Sequence, residues 1–319
     1  MSSRTSLFTE YEAGVLAEIA VHHVRPNAVE RLLEGLGRPV GSLLKAGRES
    51  NNRLIRSVSD RVEGLIEESI VGTIKIGRRL TTEEPVITAF RRRGYELEDI
   101  SGARRLPLED LDRVADSFHV GSAVLLGTEG AALGAATTIA YSLPGTQVLV
   151  PSLIFADVSS SLTLLSRHVC KIGGAYGFSP GVPETLPHIV AAMAPPTRTN
   201  DEGYLALKTV VAGSIREASQ FLSRSGVVAM DRHILEREAP QLIRLIAYVA
   251  ERLGVVVTQK NLSILVPVAG AVLNASVNVA FQLVGHLTAK DYFRRLILDE
   301  RYGSGLVEDA LQQELSRLK

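Results

Sequence analysis

Residues 130–156 read GAALGAATTIAYSLPGTQVLVPSLIFA, and no charged side chain occurs anywhere in the stretch. Residues 261–289, NLSILVPVAGAVLNASVNVAFQLVGHLTA, repeat that condition. Both runs are longer than buried strands usually are, and their apolar residues recur at helical rather than alternating spacing. At about 100° per residue, Ala123, Gly127, Gly130 and Gly134 fall within one narrow arc, with Glu129 nearly opposite. Glycine costs about 1 kcal/mol relative to alanine inside a helix, so such a stripe needs compensation. Close approach of a second backbone supplies it. In the later run Val268, Val272, Val279, Leu283, Val284 and Leu287 share an apolar arc, while Gly270, Asn274, Asn278, Gln282 and Gly285 take the other side. Uncharged amides there suit a face buried against another helix. The expected fold is all-α, a compact bundle of glycine- and alanine-rich helices.

Neither run makes a good membrane span, which needs about 20 predominantly apolar residues. Pro144, Gly145 and Pro151 break the first, and Asn274, Ser276, Asn278 and Gln282 punctuate the second. Peripheral or conditional contact with a bilayer fits better than stable insertion.

Outward from these runs the chain stays helical in pattern. Residues 10–24 form one expected helix ended by Pro26, and residues 49–80 a long amphipathic one. Thr82, Glu83, Glu84 and Pro85 read as a helix start. Arg91, Arg92 and Arg93 precede Gly94, where they complement the dipole of a helix end. Further helices are expected over 204–223 and 234–253, after a proline- and glycine-rich connector at 178–198. Residues 254–258 are the best strand candidate, although isolated. The expected organisation is an N-terminal helical segment, 1–105, and a core, 106–319, that together can form one continuous domain.

Composition narrows the function classes. Of 319 residues, 45% are hydrophobic but only 5% aromatic, so the core must be built from Leu, Val, Ile and Ala. Lys plus Arg and Asp plus Glu both number 35, and this balance argues against nucleic acid as a partner. One cysteine, Cys170, excludes an intramolecular disulfide framework. With polar residues 1–11 showing no secretory pattern, the expected location is cytoplasmic.

Residues 151–177 form a helix in pattern, with Ile154, Val158, Leu162, Leu165, Val169 and Ile172 as its apolar stripe. Asp157, Ser161 and His168 run along its margin. His168 lies three turns from Asp157, roughly 16 Å away, so no direct pair forms within this helix. Asp157 interrupts a long uncharged stretch, which makes it a candidate counter-charge in an apolar pocket. Tyr176 and Gly177 read as a helix terminus with Gly177 in the left-handed position. The seven histidines form no HExxH, and Asp231 with His233 finds no completing ligand, so neither metal nor cofactor is expected. Ser159 to Ser161 lack the GxSxG setting of a nucleophile. Lys290, Tyr292, Phe293, Arg294 and Arg295 form a basic–aromatic cluster expected at a lipid headgroup boundary.

The order of several pieces is more specific than any of them. Gly121 to Ala136 is followed by Pro151 through Ala156 and Asp157, then by Ala175, Tyr176 and Gly177. Val266 to Ala271, Asn274, Asn278 and finally Ala289 to Leu296 complete the series. This arrangement resembles the EcsC family over roughly residues 106–298. It also looks like helical domains that follow GTPase domains in some membrane-associated bacterial proteins, but the GxxxxGK[ST] loop is absent. The resemblance implies a helical, membrane-associated protein, linked in some members to an ABC-transporter system, and brings no reaction with it. The expected function is non-catalytic: peripheral membrane association or binding of lipid or another apolar ligand, with a membrane lipid or membrane protein as partner. Asp157, Ser161, His168, Tyr176, Asn274 and Asn278 are the ligand or pocket candidates. The alternatives are a hydrolase of lipid or peptide near Asp157, and a soluble interaction module.

Overall fold

The computed structural model describes residues 7–25, 28, 31, 66–68, 70–72, 83–119, 150–195, 201–225, 239–264 and 270–318. Ala123, Gly127, Gly130 and Gly134 fall outside these, as do most of 49–80 and the Asp231–His233 pair.

Helix α1, Glu10–Val24, begins at a capping box. The Glu12 amide donates to the Thr9 hydroxyl, and the Glu12 carboxylate accepts from the Thr9 amide. Val15, Leu16, Ile19 and Ala20 form its buried face. Helix α2, Glu84–Arg91, has proline in its first turn, where a missing N–H leaves nothing unsatisfied. Its end shows why Gly94 follows the arginines. The Tyr95 amide bonds back to the Phe90 carbonyl, Gly94 adopts φ +84°, and the Tyr95 ring meets the Phe90 ring edge-on. A 3₁₀ segment, Ile100–Arg105, leads into α3, Leu108–Asp116.

Helix α4, Val150–Ala175, is the one expected over 151–177. Its end repeats the same motif: the Phe178 amide bonds to Gly173, the Gly177 amide to Gly174, and Gly177 has φ +84°. Of the connector expected over 178–198, the described residues 178–195 are instead largely buried. They hold a 3₁₀ turn, Pro183–Thr185, and helix α5, Leu186–Ala191, both with proline in the first turn. Proline punctuates here without breaking, because each ring sits where no N–H is needed. Helices α6, Asp201–Ser225, and α7, Pro240–Ile264, follow. The strand candidate at 254–258 lies inside α7; its valines continue a helix already begun, and propensity yields to that context.

Helix α8, Gly270–Tyr302, has 33 residues and so runs about 50 Å. It is the spine of the molecule. Helices α4 and α7 pack along it, α1 and α3 pack on it, and α9, Ser304–Arg317, folds back from Gly303 onto both α8 and α1. The fold is all-α, with no strand among the described residues. Residues from both sides of the 105/106 boundary enter a single apolar core, from Phe8 and Ile19 to Phe293 and Leu311. No helix among the described residues is long and apolar enough to cross a membrane.

Candidate functional site

Two stripes of polar residues run along the C-terminal half of α8. His286, Lys290, Arg294 and Arg301 lie at spacings of four, four and seven, which puts them on one face. That face meets two carboxylates at i, i+4 on α3, Asp112 and Asp116, and two more on α1, Glu12 and Glu18. The Arg294 Nε donates to Asp112 Oδ1 at 3.0 Å and Oδ2 at 2.9 Å, and its terminal nitrogen reaches Glu18 at 2.8 Å. Tyr11 and Tyr176 also donate to Asp112, the former at 2.5 Å. Arg301 pairs with Glu12 at 3.1 Å. Arg294 is only 3% exposed and Asp112 2%, so truncating one partner would strand the other charge. Burial works against the Arg294 charge, but the Asp112 hydrogen bond and the charges of its neighbours together outweigh it and hold the guanidinium firmly protonated. Burial beside Asp112 pushes the Tyr176 phenol far up.

At the next rung His286 and Lys290 converge on Asp116. The His286 Nε2 lies 3.1 Å and the Lys290 Nζ 2.6 Å from the same Oδ1. Burial opposes the Asp116 charge, yet these two hydrogen bonds hold its carboxyl well below the usual range. The other nitrogen of His286, Nδ1, is 3.0 Å from His168 Nε2 on α4. A third ring, His119, stands just past the end of α3 with its centroid 4.5 Å from that of His286. Burial, then the neighbouring His286, pushes His168 down to about 3; the same causes lower His119.

The second stripe of α8, Thr288, Asp291, Tyr292, Arg295 and Asp299, faces a cavity of about 560 Å³. The opposite walls come from Ile19 and His23 of α1, from His188 and Ala191 of α5, and from α6 and α7, which supply Ile215 and Tyr248. The lining is mostly apolar. Ser219, Asp291 and Asp299 belong to this lining, and each has a buried oxygen with no hydrogen-bond partner among the described residues: Ser219 Oγ, Asp291 Oδ1 and Asp299 Oδ1. Asp291 Oδ1 is 3.6 Å from Arg294, too far for a hydrogen bond, while its Oδ2 accepts from His22 at 2.7 Å. Burial raises the Asp299 carboxyl, against the pull of Arg295. Burial and then Arg104 push His188 down to about 4, and its Nδ1 meets the Tyr292 hydroxyl at 2.9 Å.

The residues singled out from sequence separate between these places. Lys290 and Arg294, expected at a lipid-facing surface, are buried and ion-paired, and Phe293 is wholly buried against Tyr176 and Phe178. Their charges are answered by carboxylates from α1 and α3 rather than by headgroups. Tyr292 and Arg295 line the cavity, with Arg295 paired to Glu308 of α9. His168 and Ser161, expected along a helix margin, are interior because α8 covers that side of α4. Tyr176 is a ligand of Asp112 rather than of a pocket. Asn278 is buried as expected of its face, yet neither it nor Gln282 finds a hydrogen-bond partner among the described residues. Gly270 and Asn274 lie on α8 and Asp157 on α4, with only their helical placement described. Where no metal ligands were expected, three histidines 49 and 118 positions apart in sequence meet. Asp112, Asp116, Glu12, Glu18 and His286 escaped the sequence reading; the i, i+4 runs Asp112–Asp116 and His286–Lys290–Arg294 were the available signal. No family model, no curated protein and no solved structure matches the chain.

Proposed function

We propose that this chain is a non-catalytic helical binding protein that takes one small amphiphile into the cavity beside α8. The apolar body lies among Ile19, Ile215, Tyr248 and Leu296, and a hydroxyl-bearing head donates to Asp291, Asp299 and Ser219. The presence on one mostly apolar cavity of three polar residues, each with an oxygen that finds no hydrogen-bond partner among the described residues, carries this reading. A buried polar atom without a partner costs about 1–3 kcal/mol, which a ligand's donors would recover. The volume lies within the range of about 300–1,000 Å³ common for small-molecule sites. The resemblance to the EcsC family supports a bilayer as source of the amphiphile and a membrane protein as partner. Membrane contact then runs through the ligand, because Lys290 and Arg294 are occupied inside the protein.

Native mass spectrometry of the purified protein with a monoacylglycerol, and with the methyl ester of the same acyl chain, tests the proposal. The monoacylglycerol should bind saturably and one to one, and the ester, which has no donors, at least about tenfold more weakly, or about 1.4 kcal/mol. Ile215→Trp should fill the cavity and abolish binding without loss of helical content. Equal affinity for the two lipids, or no uptake of either, would reject the reading.

A further inference from the structure

We infer that His119, His168 and His286 form a binding site for one divalent transition-metal ion of the zinc type, with a fourth coordination position left to water. The three rings come from three elements: the residue stretch after α3, helix α4 and helix α8. One ring nitrogen from each lies within 4.8 Å of the other two. A tetrahedral ion with metal–nitrogen bonds of about 2.0–2.1 Å holds its ligand nitrogens about 3.3 Å apart. The His168 Nε2 and His286 Nδ1 atoms, 3.0 Å apart, are already near that separation. A short inward movement of His119, which is only half-buried, closes the set.

The hydrogen bonding around the rings suits metal ligation. A carboxylate only accepts, so His286 donates from Nε2 to Asp116, which leaves Nδ1, 3.0 Å from His168 Nε2, as the atom for a metal. Carboxylate behind imidazole behind metal is the usual outer shell of such sites. The His119 Nδ1 is buried with no hydrogen-bond partner among the described residues, and an ion would satisfy it. Three imidazole nitrogens are a donor set for zinc, cobalt or nickel rather than for calcium or magnesium. The rival arrangement is a plain hydrogen-bonded chain from His168 through His286 to Asp116.

Full-length protein stripped with chelator is titrated with zinc by calorimetry at neutral pH. The cobalt-loaded protein is then examined by visible and X-ray absorption spectroscopy. One equivalent should bind, with intense visible bands of tetrahedral cobalt and a shell of imidazole nitrogens at about 2.0–2.1 Å. His119→Ala, at the least embedded of the three positions, should weaken zinc binding at least about tenfold and leave thermal unfolding of the metal-free protein unchanged. If His286→Ala does not fold, His119→Ala and the wild-type spectrum decide alone. Absence of stoichiometric uptake, or His119→Ala binding zinc as the parent does, overturns the inference in favour of the hydrogen-bonded chain. Ile215→Trp, which fills the amphiphile cavity, should take up zinc normally, so failure of one reading does not entail failure of the other.

Discussion

Gly177 carries two separate demands on one backbone position. Its φ of +84° favours glycine, and an added Cβ would stand 2.5 Å from Arg104 Cγ and 3.2 Å from the Arg104 amide nitrogen. Arg104 is held there, donating from Nε to the Gly177 carbonyl and lying 4.0 Å above the Phe178 ring. Gly303 has nearly the same φ, +86°, but nothing within 4 Å of its would-be Cβ. The pair therefore separates conformational from steric cost. Gly303→Ala should lose about 1 kcal/mol, the left-handed penalty alone, whereas Gly177→Ala should lose about 2–4 kcal/mol because overpacking adds to it. Urea denaturation of both variants measures the difference, and equal losses would show that Arg104 simply moves aside.

Glycine at the level of the helix is about approach, as the close contacts of α4 and α8 show. A Cβ on Gly285 would run into the Leu165 side chain across the interface, and one on Gly173 would lie 3.0 Å from the Phe293 ring. Gly285→Ala should destabilise by about 1–3 kcal/mol. Combining it with Leu165→Ala should cost less than the sum of the two single changes, since the second removes the obstacle the first meets. Strict additivity in a double-mutant cycle would mean the helices separate instead of repacking. The same element also sorts charge: one stripe of α8 is neutralised by α1 and α3, and the next stripe faces the cavity. Buried pairs of this kind add little net stability, but they penalise any other register of the three helices.

For the molecule as a whole, the buried histidines set how stability depends on pH. Burial holds His168 at about 3 and His188 at about 4, against about 6.5 for an exposed ring. Below about pH 6.5 the unfolded chain therefore binds protons that the folded metal-free protein refuses. The stabilising contribution of both rings is complete above that pH and is lost progressively toward pH 4 and then 3. His22 acts in the opposite sense: its hydrogen bond to Asp291 raises its affinity for a proton, so it adds stability as it protonates. Asp116 and Glu12 stay ionised against the cost of burial, through His286 and Lys290 and through Thr9, Tyr302 and Arg301 respectively. Their contribution is present above about pH 4 and disappears in stronger acid. The urea midpoint should rise slightly from pH 8 to 7 as His22 protonates, decline below about 6.5, and fall faster below 4. His188→Gln should flatten the first decline. A wild-type midpoint constant from pH 7 to 4.5 would contradict this account.

The sequence alone determined what depends on neighbours along the chain. The bounds of α1 follow from Thr9, Glu12 and Pro26, the ends of α2 and α4 from Gly94 and Gly177, and the buried stripe of α4 from Val158 to Ile172. These are local rules of capping and periodicity, and the helical character of the fold is their sum. What escaped was partnership. A basic–aromatic run such as Lys290 to Arg295 has the same pattern whether lipid headgroups or buried carboxylates answer its charges. Only the packing of α8 on α1 and α3 brought Asp112, Asp116 and Glu18 to it. Likewise His119, His168 and His286 have no spacing that a motif could record, and the cavity is walled by five helices distant in sequence. Burial, ion pairing and shared cavities are properties of segments brought together, so they were decided by the tertiary structure and by nothing shorter-ranged.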